Sequence, residues 1–172
     1  AAVYGRYVLE EALSRPVALA APSLQTLYGA ATRYDGYLAV AVSQSGRTPE
    51  IATVLERLRA AGARTVAITS GPASPLAEVA EATIELGAGE ERAVPATKTF
   101  TAQLAAFAAV AEACGPVPWS PGAWDALRGA VETVLADEAP VDAVAPALAG
   151  ARGVVAVARG HLYCVALEAG LK

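Results

Sequence analysis

The chain has 172 residues, 55% of them hydrophobic and 17% charged, which is one ordinary domain, or one domain plus a piece of another, with apolar residues enough for a sizeable core. No apolar run reaches the ~20 residues that cross a bilayer, and the opening Ala1-Ala2-Val3-Tyr4-Gly5-Arg6 lacks the apolar stretch of a signal peptide, so a cytoplasmic protein with no membrane partner is expected. The net charge of -4 and the lack of any Lys/Arg-rich run argue against nucleic acid as a partner.

In chain order, residues 1–14 read as a helix, with Val3 and Tyr7, and Tyr4 and Val8, stacked four apart. Val17–Ala21 is a short strand candidate, and Pro22-Ser23 opens a second helix. Tyr37–Val42 is apolar throughout, as expected of a parallel strand covered on both faces. Pro49–Ala60 is a helix with the stripe Ile51, Val54, Leu55 and Leu58, and Gly62 lies just past its end. Thr65–Thr69 is the next strand. Ser74-Pro75 pairs an N-cap residue with proline at the first helical position, so a short helix follows. Thr83–Leu86 reads as an edge strand, and Thr97–Cys114 as a long helix ended by Gly115-Pro116.

This alternation predicts an α/β fold, an open parallel sheet flanked by helices on both faces. Pro116-Val117-Pro118 then breaks the rhythm, and helices are expected near 121–137 and 140–149. Val154–Ala158 reads as a further buried strand, with Gly160 leading into a last helix. The organisation expected is one unit over 1–115, a helical connection over 116–150, and the start of a second unit over 151–172. With no methionine, and an apolar pattern (Leu162, Val165, Ala166, Ala169) running uncapped to Lys172, the sequence reads as a segment of a larger protein, truncated at both ends. The last strand and helix need a packing partner, so a homodimer or close packing onto the first unit is expected.

The chemistry concentrates in Ser43-Gln44-Ser45-Gly46-Arg47-Thr48. A buried strand ends just before it, while Thr48 and Pro49 suit a helix N-cap and first turn. Two serine hydroxyls, a glutamine amide and a glycine lie between. A helix start offers unpaired N–H groups and partial positive charge, which suit a phosphate dianion. Ligands of open α/β sheets bind at the carboxyl ends of the strands, where this loop lies. Cys114 and Cys164 are far apart among apolar residues and read as buried, reduced thiols; no metal cluster and no dinucleotide-binding glycine motif appears, so no metal and no cofactor are implied. Trp119 and Trp124 read as packing residues of the connecting helix, and His161 as an ordinary helix-start histidine.

Ser43-Gln44-Ser45-Gly46-Arg47-Thr48 resembles the Ser-Gln-Ser-Gly-x-Thr signature of the sugar isomerase (SIS) domains. Two further segments agree: Val94-Pro95-Ala96-Thr97-Lys98-Thr99-Phe100-Thr101, and Arg159-Gly160-His161-Leu162-Tyr163 with Ala166-Leu167-Glu168-Ala169-Gly170-Leu171-Lys172. Three ordered motifs spanning most of the chain are similar to the isomerase half of glucosamine-6-phosphate synthase (glutamine–fructose-6-phosphate aminotransferase) and to SIS-type glucosamine-6-phosphate deaminases. The resemblance implies a three-layer, flavodoxin-like sheet and a small-molecule sugar phosphate as ligand, fructose 6-phosphate or glucosamine 6-phosphate. It implies that Ser43, Gln44, Ser45 and Thr48 hold the phosphate. Val94 and Ala96 would line the sugar pocket together with Thr97 and Lys98, and Glu168 and Lys172 would approach the sugar from the second unit as the catalytic pair. Pro95 departs from the family's small residue, and Ala96 removes the serine hydroxyl of the synthases. Both lysines of the chain, Lys98 and Lys172, fall inside these motifs, whereas the other basic residues are arginines. The family's catalytic glutamate, ring-opening histidine and further lysine follow the position of Lys172, so this stretch alone is expected to bind more than to turn over. The alternative is a non-catalytic SIS module that senses a sugar phosphate for a regulator.

Overall fold

The apolar runs of the first half pair as the alternation predicts. In the computed structural model, which describes residues 1–92 and 96–171, strands β1 (Leu38–Val42), β2 (Arg64–Thr69) and β3 (Ala82–Glu85) form a parallel sheet in the order β1-β2-β3. Val42 stands opposite Ile68, and Thr69 opposite Glu85, so the three carboxyl ends come out side by side.

Side-chain alternation sorts large from small across the sheet. Val40, Val42, Ile68 and Ile84 point to one face, where they meet Val8, Leu9 and Ala12 of α1 (Ala2–Leu13) and Phe107 and Ala111 of α5 (Lys98–Cys114). Ala39, Ala41 and Ala67 point to the other, against Ala52 and Leu55 of α3 (Pro49–Ala60) and Leu76 of α4 (Pro75–Val79). The alanine face lets α3 and α4 lie close on the sheet. The opposite face is thicker, and there α1 and α5 themselves pack closely: a Cβ on Gly5 would overlap the Phe107 ring, and one on Gly115 the Ala12 carbonyl. The short α2 (Pro22–Thr26) is tied to α3 by the Arg57 guanidinium, which donates to the Gln25 carbonyl.

Several expectations are corrected. Val17–Ala21 is not a strand: no described strand lies beside it, and all but Val17 is exposed. Val154–Ala158 is likewise neither paired nor buried, with Val154, Val155 and Val157 at 71–88% exposure. β-branched residues favour extended backbone, but a strand exists only where another strand completes its hydrogen bonds. Cys114 is exposed, because the last turn of α5 projects beyond the core, whereas Cys164 is buried and burial raises its thiol pKa. The two helices expected near 121–137 and 140–149 form as α6 (Ala123–Ala136) and α7 (Ala139–Ala149), yet neither contains a buried residue. Trp119 packs against the core, and Trp124 donates its indole N–H to the Glu112 carboxylate at 3.0 Å. A 3-10 turn, Gly160–Leu162, leads into α8 (Tyr163–Leu171), which packs on α1; there His161 lies 3.3 Å from Glu11 and edge-on to Tyr4 and Tyr7.

The Gly5–Phe107 approach gives a stability test. Gly5→Ala adds a methyl group where the buried Phe107 ring already stands, and overpacking of this kind costs about 1–3 kcal/mol. Urea unfolding of the variant is expected to show a lower midpoint at unchanged slope; an unchanged midpoint would mean that α1 and α5 are not in this contact.

Candidate functional site

The loop from β1 to α3 is held by its own hydroxyls. The Ser43 N–H donates to the Ile68 carbonyl at 3.0 Å, continuing the sheet for one residue. Ser43 Oγ accepts from the Gly46 N–H at 3.2 Å, and Ser45 Oγ from the Arg47 N–H at 3.3 Å. Each hydroxyl still carries an O–H to donate to a ligand. Thr48 is the N-cap of α3, with Pro49 in the first turn, and its side chain makes no cap hydrogen bond.

A second loop, Thr69–Ser74 at the end of β2, braces the first. The Thr69 hydroxyl donates to the Gln44 carbonyl at 3.2 Å, and the Ser70 N–H donates to the same oxygen at 2.9 Å. The Leu76 N–H reaches the Gly46 carbonyl at 3.1 Å. Gly46 has φ +65°, and a Cβ there would run into the Ser74 side chain, whose Oγ caps α4 by accepting from the Ala77 N–H at 3.4 Å. A Cβ on Gly71 would stand 2.7 Å from the Ser45 carbonyl oxygen. Only glycine meets both demands at 46, a left-handed backbone and a close approach.

The third wall comes from the segment before α5. One oxygen of the Glu91 carboxylate accepts from the Thr97 N–H at 3.1 Å, the Thr99 N–H at 3.1 Å and the Thr99 hydroxyl at 3.3 Å. The Thr99 N–H, above all, holds the Glu91 carboxyl below its ordinary range; partial desolvation opposes this, and the Thr97 N–H, the Thr99 hydroxyl and the Lys98 charge add to it. Together the three segments enclose a cleft of about 310 Å³, lined by Gln44, Ser45, Arg47, Ser70, Gly71, Gly89, Glu91 and Thr99. A larger cleft of about 450 Å³ lies between β3, α5 and Trp124. Its lining of alanines, Ile84 and Leu86, with Glu85 as its sole charge, offers an anion nothing, so the smaller, polar cleft is the candidate site.

Of the residues singled out in the sequence, Gln44 and Ser45 line this cleft. Ser43 is buried at the start of the loop, and Thr48 is exposed at the opening of α3. Thr97 stands at the N-cap position of α5, Ala96 is half-buried before it, and the Lys98 ammonium donates to the Glu90 carbonyl at 2.7 Å. Glu168 is half-buried in α8, and neither it nor His161 lines the cleft. Val94 and Lys172 lie outside the described residues. Sequence reasoning missed Ser70, Gly71 and the clamp at Glu91; the polar Ser70-Gly71 pair directly after a strand was the available signal. Among the described residues no three metal-ligating side chains are gathered, and no helix is long and apolar enough to cross a membrane.

An open parallel sheet with a hydroxyl-rich loop between a strand end and a helix start defines an α/β domain of the ligand-binding kind, with its site at the carboxyl edge. Comparison with known proteins makes this specific. The family model described as SIS domain matches residues 1–113, and the chain belongs to that family. It is 32% identical over 181 residues to the glutamine–fructose-6-phosphate aminotransferase (isomerizing) of Zymomonas mobilis, matching 100% of this chain and 30% of that protein. It is 33% identical over 174 residues to the enzyme of the same name from Streptococcus pneumoniae, matching 96% of this chain and 29% of that one. The chain thus spans about 30% of the length of these relatives. Among solved structures, the C-terminal domain of glucosamine-fructose-6-phosphate aminotransferase from Francisella tularensis superposes with a TM-score of 0.74 at 21% identity, over 96% of this chain and 49% of that one, which shows the fold. A Silicibacter pomeroyi protein assigned to the phosphosugar isomerases matches 62% of this chain and 32% of its own, with a TM-score of 0.59 and 42% identity.

The Glu91 clamp predicts a pH dependence. A carboxyl whose folded pKa lies below its unfolded value adds stability above the unfolded value and loses it as pH falls through the folded one. Glu91→Gln is therefore expected to melt below the unaltered chain at neutral pH, and the gap to close in acid once the carboxylate has protonated. Thermal melts across pH check this; a gap that stays constant into acid would show that the charge of Glu91 is not what these donors hold.

Proposed function

We propose that this chain is the sugar-phosphate-binding SIS unit of an aminosugar-phosphate isomerase, aminotransferase or deaminase acting on fructose 6-phosphate or glucosamine 6-phosphate. The observation that carries this reading is the Ser43–Thr48 loop, whose serines are held by its own backbone at the carboxyl edge of the sheet beside the start of α3. Ser43, Gln44, Ser45 and Thr48 hold the phosphate. Val94, Ala96, Thr97 and Lys98 form the sugar pocket. Residues 1–115 make up the SIS unit; 116–150 connect, and 151–172 belong to a second unit that brings Glu168 and Lys172 to the sugar as catalytic groups. The protein works as a cytoplasmic homodimer. The homologous aminotransferases support the choice of ligand, since the similarity to them runs across this loop and through both later motifs.

Phosphate grip and catalysis are separable. Moving a proton between adjacent sugar carbons requires a base, an acid at the ring oxygen and a cation near the carbonyl. A phosphate site binds ground and transition states alike, so it raises affinity without lowering the chemical barrier.

Isothermal calorimetry tests the reading. Glucosamine 6-phosphate or fructose 6-phosphate is expected to bind, and the unphosphorylated sugar far more weakly. A hydrogen bond to a charged group contributes about 1.5–3 kcal/mol, so Ser45→Ala should weaken sugar-phosphate binding several-fold or more. Equal affinity for sugar and sugar phosphate would overturn the proposal.

A further inference from the structure

Ser70 follows β2 directly, and its hydroxyl has no role in the fold. The Ser70 Oγ atom is closed off from solvent and has no hydrogen-bond partner among the described residues. Buried polar atoms are nearly always paired, and each exception asks for a reason. Gln25, whose side-chain amide nitrogen is also unpaired, lies in α2 and lines no part of the cleft. Ser70 does line it, together with Gln44, Ser45 and Gly71. Its N–H is fixed to the Gln44 carbonyl at 2.9 Å, so the residue cannot drift away from the Ser43–Thr48 loop. The residue as a whole is half-buried, and its Cα–Cβ bond gives the hydroxyl three staggered positions to choose from.

We infer that Ser70 is a further ligand residue, donating its hydroxyl to a phosphoryl oxygen of the sugar phosphate from the loop that lies alongside Ser45. The inference rests on the phosphosugar reading and deepens it by adding a second loop to the grip. The chemistry of the wall fits an oxyanion: the Gln44 amide, Ser45 hydroxyl and Arg47 guanidinium beside Ser70 are all donors. The one carboxylate in the lining, Glu91, is engaged by three donors of its own. Gly71 has no side chain to stand between Ser70 and the Ser45 backbone, which keeps the two serine-bearing turns in register.

Calorimetry of the 172-residue chain with inorganic phosphate and with glucosamine 6-phosphate, run on the unaltered protein, Ser45→Ala and Ser70→Ala beside their melting temperatures, tests this. An unpaired hydroxyl can be removed without breaking any bond in the fold, so Ser70→Ala should melt at or above the unaltered temperature. It should bind both ligands roughly ten-fold or more weakly, the loss that goes with one charge-assisted hydrogen bond. Binding within two-fold of the unaltered chain, with Ser45→Ala clearly weakened, would overturn the role of Ser70 and leave the phosphosugar reading standing. A loss for glucosamine 6-phosphate but not for inorganic phosphate would overturn the phosphoryl assignment, and a melting temperature lowered by several degrees would show that the hydroxyl is a structural one. No binding of either ligand by the unaltered chain would overturn both proposals together.

Discussion

Position 46 has no room for a side chain, and the rest of the site depends on that. Gly46 is left-handed and lies against the Ser74 side chain, while Gly71 lies against the Ser45 carbonyl, so the two strand-end loops interlock at their glycines. The Gln44 carbonyl, accepting from both the Thr69 hydroxyl and the Ser70 N–H, fastens the same joint. Loops ordinarily lose entropy when they close on a ligand. Here the serines of the first loop are fixed to rigid elements beforehand, β1 on one side and α3 on the other, with β2 and α4 behind the brace.

That brace needs α3 and α4 near the sheet, and the composition of the strands provides it. Ala39, Ala41 and Ala67 turn small side chains to this face, so Leu55 and Leu76 sit directly on the strands. Valines and isoleucines on the other face need a thicker layer, filled by Phe107 and the apolar stripe of α1. The uneven alternation of large and small thus decides which helices rest on which face of the sheet.

Much of this was legible in the sequence because it is local. Thr48-Pro49 and Gly62 bracket α3, Ser74-Pro75 opens α4, and both elements appear where those residues put them. The sheet through Leu38–Val42 and Arg64–Thr69 follows from apolar runs of strand length. What failed was non-local. Val17–Ala21 and Val154–Ala158 are short apolar runs, but a local pattern does not say whether a partner strand lies alongside, and none does among the described residues. The site divides in the same way. The Ser43–Thr48 loop was visible as a motif, whereas Ser70 gains its meaning from Gln44, far back in the chain, and Glu91 from donors six and eight residues further on. Lys98 stood out as one of two lysines, yet its ammonium is directed to the Glu90 carbonyl, a contact that no spacing rule anticipates.

Two helix starts border this cleft, and they differ in one respect that bears on where an anion sits. Any helix start presents unpaired N–H groups and a partial positive charge. At α5 the Glu91 carboxylate already accepts from the backbone at Thr97 and Thr99, so the attraction there is largely satisfied from within the chain. At α3 the N-cap residue Thr48 makes no side-chain cap, and Pro49 and Glu50 stand in the first turn. In the proposed reading the dianion sits against the serine hydroxyls ahead of α3, away from the carboxylate that already occupies the backbone donors of α5. The net charge of -4 poses no obstacle to this, since the field inside a cleft is set by the nearest oriented donors and charges more than by the total on the surface. In the same reading, the carboxylate held at one helix start and the serine hydroxyls ahead of the other give the cleft a polarity along its length.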